Sequence, residues 1–93
     1  MARVFWPQAT LDRLDDIVAY ISIYNPTAAK QIGDKLFALG ESLSEFPNRG
    51  RPGRNGTREL PSVQPYVLIY DVNENDEQVT ILHIRHGRQR PLA

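Results

Sequence analysis

Hydrophobic residues recur along the first half of the chain with the period of an α-helix. From Gln8 to Tyr24, and again from Pro26 to Phe46, apolar side chains return every three or four residues, so each segment has one apolar face. Asn25 and Pro26 lie between the two segments, and they are favoured at the N-cap and at the first position of a helix. The pattern therefore predicts two amphipathic helices that a very short link forces into an antiparallel hairpin.

Two glycines interrupt the apolar face of the second predicted helix. Gly33 and Gly40 lie one heptad apart, and each costs about 1 kcal/mol of helix stability relative to alanine. Their lack of a side chain predicts close packing of this helix against the first one.

The remaining apolar segments are short and have the composition of β-strands. Turn-forming residues separate them: residues 48–56 predict a surface loop, Pro61 a strand end, and residues 73–77 a polar hairpin turn. The predicted strands are residues 2–6, 57–60, 66–72 and 79–85. This β-α-α-β-β-β order predicts an α+β fold, a helical hairpin on a small, mostly antiparallel sheet, in one domain spanning residues 1–93.

The last predicted strand joins the core to a basic end of the chain. Strict alternation would place Val79, Ile81, His83 and Arg85 on one face and Thr80, Leu82, Ile84 and His86 on the other. The apolar patterns of the helices and strands predict four core residues: Leu36, Leu39, Ile69 and Leu82.

Composition excludes several classes of protein. The chain has no cysteine, so it has neither disulfides nor a thiolate metal site, and no apolar run approaches the ~20 residues of a membrane span. We expect a cytoplasmic protein that needs no cofactor. We expect no metal site either, since His83 and His86 are three residues apart on a strand and would not share a face.

The formal net charge is zero, but the charges are segregated along the sequence. Between Arg49 and Arg58 the chain has four arginines and no acidic residue, and Arg85, Arg88 and Arg90 form a second basic group. If the fold brings the two groups together, they form a surface suited to a polyanion or to an acidic protein.

Two kinds of chemistry fit these residues. A ribonuclease requires arginines around the phosphate together with a general base and a general acid, which Arg58, Glu59, Arg85 and either His86 or His83 would provide. However, Arg58 and Glu59 are adjacent on a strand and point to opposite faces, so only one of them can join Arg85. The alternative is a target-binding surface without covalent chemistry, formed by Arg58, Arg85, His86, Arg88 and Arg90, with Arg85 as its main contact.

With its predicted β-α-α-β-β-β order, the chain resembles the RelE/ParE superfamily of bacterial toxins. It resembles most of all the ParE branch, whose members are often called plasmid stabilisation proteins. The resemblance extends over almost the whole chain. It is carried by Pro7-Gln8-Ala9, Asn25-Pro26, Phe46-Pro47, Arg58-Glu59-Leu60, residues 66–70 and residues 81–89.

The resemblance implies a toxin of a type II toxin-antitoxin pair that inhibits DNA gyrase and hence replication. Its implied partner is a ParD-like antitoxin, a ribbon-helix-helix DNA-binding protein. RelE-like members instead cut messenger RNA on the ribosome, but they generally have a tyrosine or histidine near the C-terminus, and residues 88–93 contain neither. We therefore expect a toxin that is not an enzyme, with an mRNA endonuclease or an inactive, antitoxin-binding family member as the alternatives.

Overall fold

Two helices cover one face of a mixed sheet in the computed structural model, which describes residues 1–73 and 75–87. The described elements are β1 (Arg3–Phe5), α1 (Gln8–Tyr24), α2 (Pro26–Glu41), β2 (Arg51–Pro52), β3 (Arg58–Val63), β4 (Tyr66–Val72) and β5 (Gln78–His86). The strand order is β1-β5-β4-β3-β2, with β1 parallel to β5 and the other neighbours antiparallel. The predicted α+β fold is confirmed. No helix in the described ranges is long and apolar enough to cross a membrane.

Asn25 forms the link between the two helices, as predicted. Its backbone N–H donates to the Ile21 carbonyl at the end of α1, and its side-chain oxygen accepts from the Ala28 N–H at the start of α2. Gly33 permits close packing, because a Cβ there would lie 2.8 Å from the Val18 side chain of α1. Gly40 differs from the prediction, since a Cβ there would overlap the Trp6 indole ring and not α1.

The second helix ends earlier than predicted. α2 stops at Glu41, and a 3-10 turn over Ser42–Ser44 follows it. The Ser42 hydroxyl donates to the Leu39 carbonyl at 2.6 Å, a local hydrogen bond that competes with continuation of the helix. As a result, Phe46 lies outside the helix and is 61% exposed.

The predicted loop over residues 48–56 contains an edge strand. Arg51 and Pro52 form β2, which pairs with Glu59 and Arg58 of β3. Asn55 and Gly56 then have positive φ angles of 55° and 77°, which is the left-handed conformation that these two residue types tolerate best.

β3 also extends beyond the predicted end at Pro61. Strand β2 covers only the first two residues of β3, Arg58 and Glu59, so Pro61 lies where β3 is an edge strand. A proline is tolerated at such an edge because no neighbouring strand needs a hydrogen bond from its backbone nitrogen.

A β-bulge changes which residues of β5 face the core. Tyr70 pairs with Ile81 and Ile69 pairs with His83, so Leu82 is an extra residue without a partner on β4. Val79, Ile81 and Ile84 are fully buried on the helix-covered face. The predicted face of Val79, Ile81, His83 and Arg85 is therefore wrong, since strict alternation ends at the bulge.

The core lies between this face of the sheet and the two helices. Leu36 and Leu39 belong to it as predicted, and Ile69 is half-buried on the opposite face of the sheet. Leu82 was predicted in the core and is 42% exposed, because it occupies the bulge.

Side chains of α1 attach the helix to the bulged strand. β1 pairs with β5 only as far as Thr80, so the following carbonyls on that edge lack a strand partner. Thr10, which is 2% exposed, donates its hydroxyl to Ile81 O at 2.7 Å and to Leu82 O at 3.2 Å. One turn further along α1, Arg13 Nε donates to Ile84 O at 3.0 Å.

Candidate functional site

A network of charged side chains occupies the face of the sheet opposite the helices, which we call the outer face. Glu59 on β3 lies between two arginines, and its Oε1 atom accepts from Arg85 NH2 at 3.1 Å and from Arg51 NH2 at 3.2 Å. The Arg85 and Glu59 side chains are only 9% and 12% exposed, whereas that of Arg51 is 59% exposed. No acidic residue lies near Arg85 in sequence, and the fold supplies one from β3, 26 residues earlier.

His83 lies on the same face. Glu59, Ile69 and His83 pair in one row across β3, β4 and β5, which places the acid and the histidine about 10 Å apart at two strand spacings. Burial lowers the pKa of His83, and the positive charges of Arg13 and Arg85 lower it further. At neutral pH this imidazole is therefore uncharged.

Arg58 points away from this network, toward the loop that precedes β2. Its NH1 atom donates to Gly50 O at 2.7 Å and to Asn48 O at 3.4 Å. The Gly50 N–H donates to the hydroxyl of Tyr70, which is completely buried. Burial raises the pKa of Tyr70, while the Gly50 hydrogen bond and the charges of Arg58 and Arg49 act in the opposite direction. In this position Arg58 stabilises the loop conformation.

His86 lies on the helix-covered face, near the start of β4. It pairs with Tyr66, and the two rings make an edge contact with centroids 5.7 Å apart. A pocket of about 400 Å³ opens here between α1 and the sheet. We call it the α1–β5 pocket, and it is lined by Arg13, Asp16, Ile17, Tyr20, Tyr66 and His86.

The structure thus divides the residues predicted to act together. Glu59 and Arg85 lie on the outer face, while Arg58 and His86 lie on the other face. Arg58 and His86 are also far apart on that face. Arg58 pairs with Tyr70 and His86 pairs with Tyr66, and these two residues of β4 are four positions apart, which is about 13 Å at the usual rise of a strand. Arg88 and Arg90 lie outside the described residues. The prediction that Arg58 and Glu59 point to opposite faces is confirmed.

Several residues with potential functional roles were missed. The sequence predicts Arg51 in the surface loop over residues 48–56, and only its pairing with β3 brings it to Glu59. Arg13 and Asp16 are polar residues of α1 that the sequence does not single out as candidates. The one available signal for Arg13 was its position one helical turn after Thr10, which puts both on the same face.

Comparisons with known proteins agree with the fold. Residues 4–91 match the model of the family described as the ParE toxin of the type II toxin-antitoxin system parDE. Toxin RelE2 of Caulobacter vibrioides is 41% identical over 87 residues, covering 94% of this chain and 97% of that protein. A solved structure of the chromosomal ParDE TA system from P. aeruginosa superposes with a TM-score of 0.81 at 22% identity, covering 92% of this chain and 96% of the other. The chain belongs to the ParE toxin family of type II toxin-antitoxin systems.

Proposed function

We propose that the protein is a cytoplasmic toxin that inhibits DNA gyrase, that it is not itself a nuclease, and that a ParD-like antitoxin holds it inactive. Its membership of the ParE family supports the antitoxin as partner, because the family is defined by toxin-antitoxin pairs. The choice of gyrase over RNA rests on the arrangement of the polar side chains.

The observation that carries this choice is the position of Glu59 relative to His86. General acid-base cleavage of RNA needs a base and an acid within hydrogen-bond reach of the same phosphate. Glu59 lies on the outer face and is ion-paired with two arginines, whereas His86 lies on the opposite face. The sheet separates them, so one phosphate cannot contact both.

A second candidate, an mRNA endonuclease acting on the ribosome, is favoured by a different histidine. His83 shares the outer face with Glu59, Arg51 and Arg85. The lowered pKa keeps its imidazole neutral at physiological pH, which is the form required of a general base. Against this candidate, Glu59 is bound to both arginines, and little of the Arg85 side chain is exposed to a substrate.

Expression of the toxin without its antitoxin separates the candidates by the process that stops first. A gyrase inhibitor halts DNA synthesis while transcripts remain intact, so thymidine incorporation should fall before methionine incorporation. A ribosome-dependent nuclease gives the reverse order and cleaved transcripts. The substitution His83→Ala should leave a gyrase inhibitor toxic and inactivate the nuclease, whereas unimpaired growth with the wild-type protein would indicate an inactive family member.

A further inference from the structure

Arg13 presents a fixed guanidinium group to the α1–β5 pocket. Its Nε is held by the Ile84 carbonyl at 3.0 Å, and the neighbouring Thr10 hydroxyl fixes the same turn of α1 to Ile81 and Leu82. Within residues 1–73 and 75–87, its two terminal nitrogens make neither a hydrogen bond nor an ion pair. A guanidinium that is already oriented loses little entropy when it binds an anion through both terminal nitrogens.

The walls of the pocket are suited to a side chain with an apolar stem. Ile17 and Tyr66 are 3% and 8% exposed, and the His86 ring packs against Tyr66. A ligand that occupies this space therefore contacts rings and an aliphatic side chain as well as Arg13. This arrangement fits an aspartate or glutamate side chain.

Asp16 helps to decide which anion fits. It lines the same pocket one turn along the helix from Arg13, yet the two do not form an ion pair in the described structure. Arg13 and Asp16 together contribute no net charge, so a doubly charged phosphate gains no more net attraction here than a singly charged carboxylate, and it loses more hydration on entering the pocket. The charge balance therefore favours a carboxylate over a phosphate.

The surface next to the pocket is apolar, which indicates a protein partner. Tyr20 lines the pocket, and Ile23 and Tyr24 continue from it along α1 at helical spacing. These three residues are 61%, 73% and 74% exposed. Contiguous exposed apolar residues of this kind mark interaction surfaces, and a small free anion would not cover them.

We propose that the α1–β5 pocket is the anchor point of the antitoxin. An acidic side chain of the antitoxin enters the pocket and pairs with Arg13, and apolar side chains of the same segment cover Tyr20, Ile23 and Tyr24. This assignment depends on the proposed function, because it takes the antitoxin as the occupant.

The test is a titration of the full-length toxin and its variants with the purified antitoxin. Arg13→Gln should weaken binding by about tenfold to a hundredfold, as expected when one member of a desolvated charge pair is removed. Arg54→Gln is the matched control, since Arg54 is exposed in the turn before β3, and it should bind within about twofold of wild type. Asp16→Asn should tighten binding several-fold, because it removes the repulsion of the incoming carboxylate.

The Asp16 variant keeps the test valid even if Arg13→Gln weakens the fold, since Asp16 is exposed and its side chain makes no hydrogen bond or ion pair within the described residues. Failure of the wild-type toxin to bind the antitoxin would contradict the proposed function itself. If the wild type binds normally and both Arg13→Gln and Asp16→Asn bind with unchanged affinity, only the assignment of the α1–β5 pocket as the anchor point is overturned. Thermal stabilisation of the wild type by sodium phosphate, lost in Arg13→Gln without loss of antitoxin affinity, would also overturn it and indicate a phosphate site.

Discussion

Arg85 and Glu59 form a buried ion pair, with 3.1 Å between NH2 and Oε1. The pair connects β5 to β3 across β4, on the face of the sheet without helices. Removing one member of such a pair leaves the other charge desolvated, which typically costs 3 to 5 kcal/mol. This contact gives Arg85 a structural role in addition to any contact with a target.

We expect Arg85→Ala to lower the free energy of unfolding by about 2 to 3 kcal/mol, less than the usual cost because Arg51 remains beside Glu59. Urea denaturation measures the change, and Arg54→Ala, at an exposed site, should stay within about 0.5 kcal/mol of wild type. Unchanged stability of Arg85→Ala would mean that the ion pair does not support the fold. Toxicity measurements on Arg85 variants therefore need stability-matched controls.

Thr10→Val should destabilise the protein by about 1 to 3 kcal/mol, since it leaves the buried Ile81 carbonyl and the part-buried Leu82 carbonyl without their shared donor. Valine has nearly the same shape, so packing is largely preserved. Thr27→Val is the matched control, because Thr27 is exposed in the first turn of α2. Equal denaturation midpoints for the two variants would contradict the role of Thr10 in attaching α1 to the bulge.

Leu36→Ala and Leu82→Ala together test the position of the bulge. Leu36 is completely buried, so its truncation should cost about 2 to 5 kcal/mol. Leu82 is 42% exposed, and its truncation should cost less than about 1 kcal/mol. If Leu82→Ala lowered the free energy of unfolding as much as Leu36→Ala does, Leu82 would belong to the core, which would contradict the bulge.

Gly40→Ala should displace the Trp6 indole, which stacks on Phe37 with ring centroids 5.2 Å apart and occupies the space of the new methyl group. We expect a loss of about 1 to 3 kcal/mol from overpacking. Trp6 is the single tryptophan of the chain, so its fluorescence reports the displacement directly. An emission spectrum and a melting temperature identical to wild type would show that this contact is not tight.

Stability should depend on pH through His83. Its pKa is lowered in the folded protein, so the unfolded chain takes up the proton first as the pH falls through its ordinary value of 6.5. The contribution of His83 to the free energy of unfolding is therefore fully present above pH 6.5, and it decreases as the pH falls below that value. His83→Gln should flatten this part of the profile, and a profile with the same slope in the variant would assign the effect to other groups.

Local sequence signals predicted the elements that local interactions determine. The limits of α1 and β4 were correct, and Asn25 caps α2 as expected, because periodicity and capping act over a few residues. The bulge at Leu82 could not be predicted in this way. It coincides with hydrogen bonds from Thr10, which lies 71 residues from Ile81 in sequence.

The candidate site depended on that same long-range information. One extra residue on β5 moves His83 and Arg85 to the outer face and leaves His86 opposite Tyr66. The identity of Arg58, Glu59 and Arg85 as polar strand residues was readable from the sequence. Strand alternation also predicted that Arg58 and Glu59 lie on opposite faces. That Glu59, and not Arg58, shares a face with Arg85 and forms an ion pair with it follows from the strand pairing.

The most direct test of the central claim is a gyrase-mediated DNA cleavage assay with purified, folded toxin. The proposed function predicts that the toxin causes cleaved DNA to accumulate and supercoiling to stop, and that an equimolar amount of the antitoxin reverses both effects. Full supercoiling activity at every toxin concentration, with cleavage of messenger RNA in a translating extract by the same preparation, would contradict it.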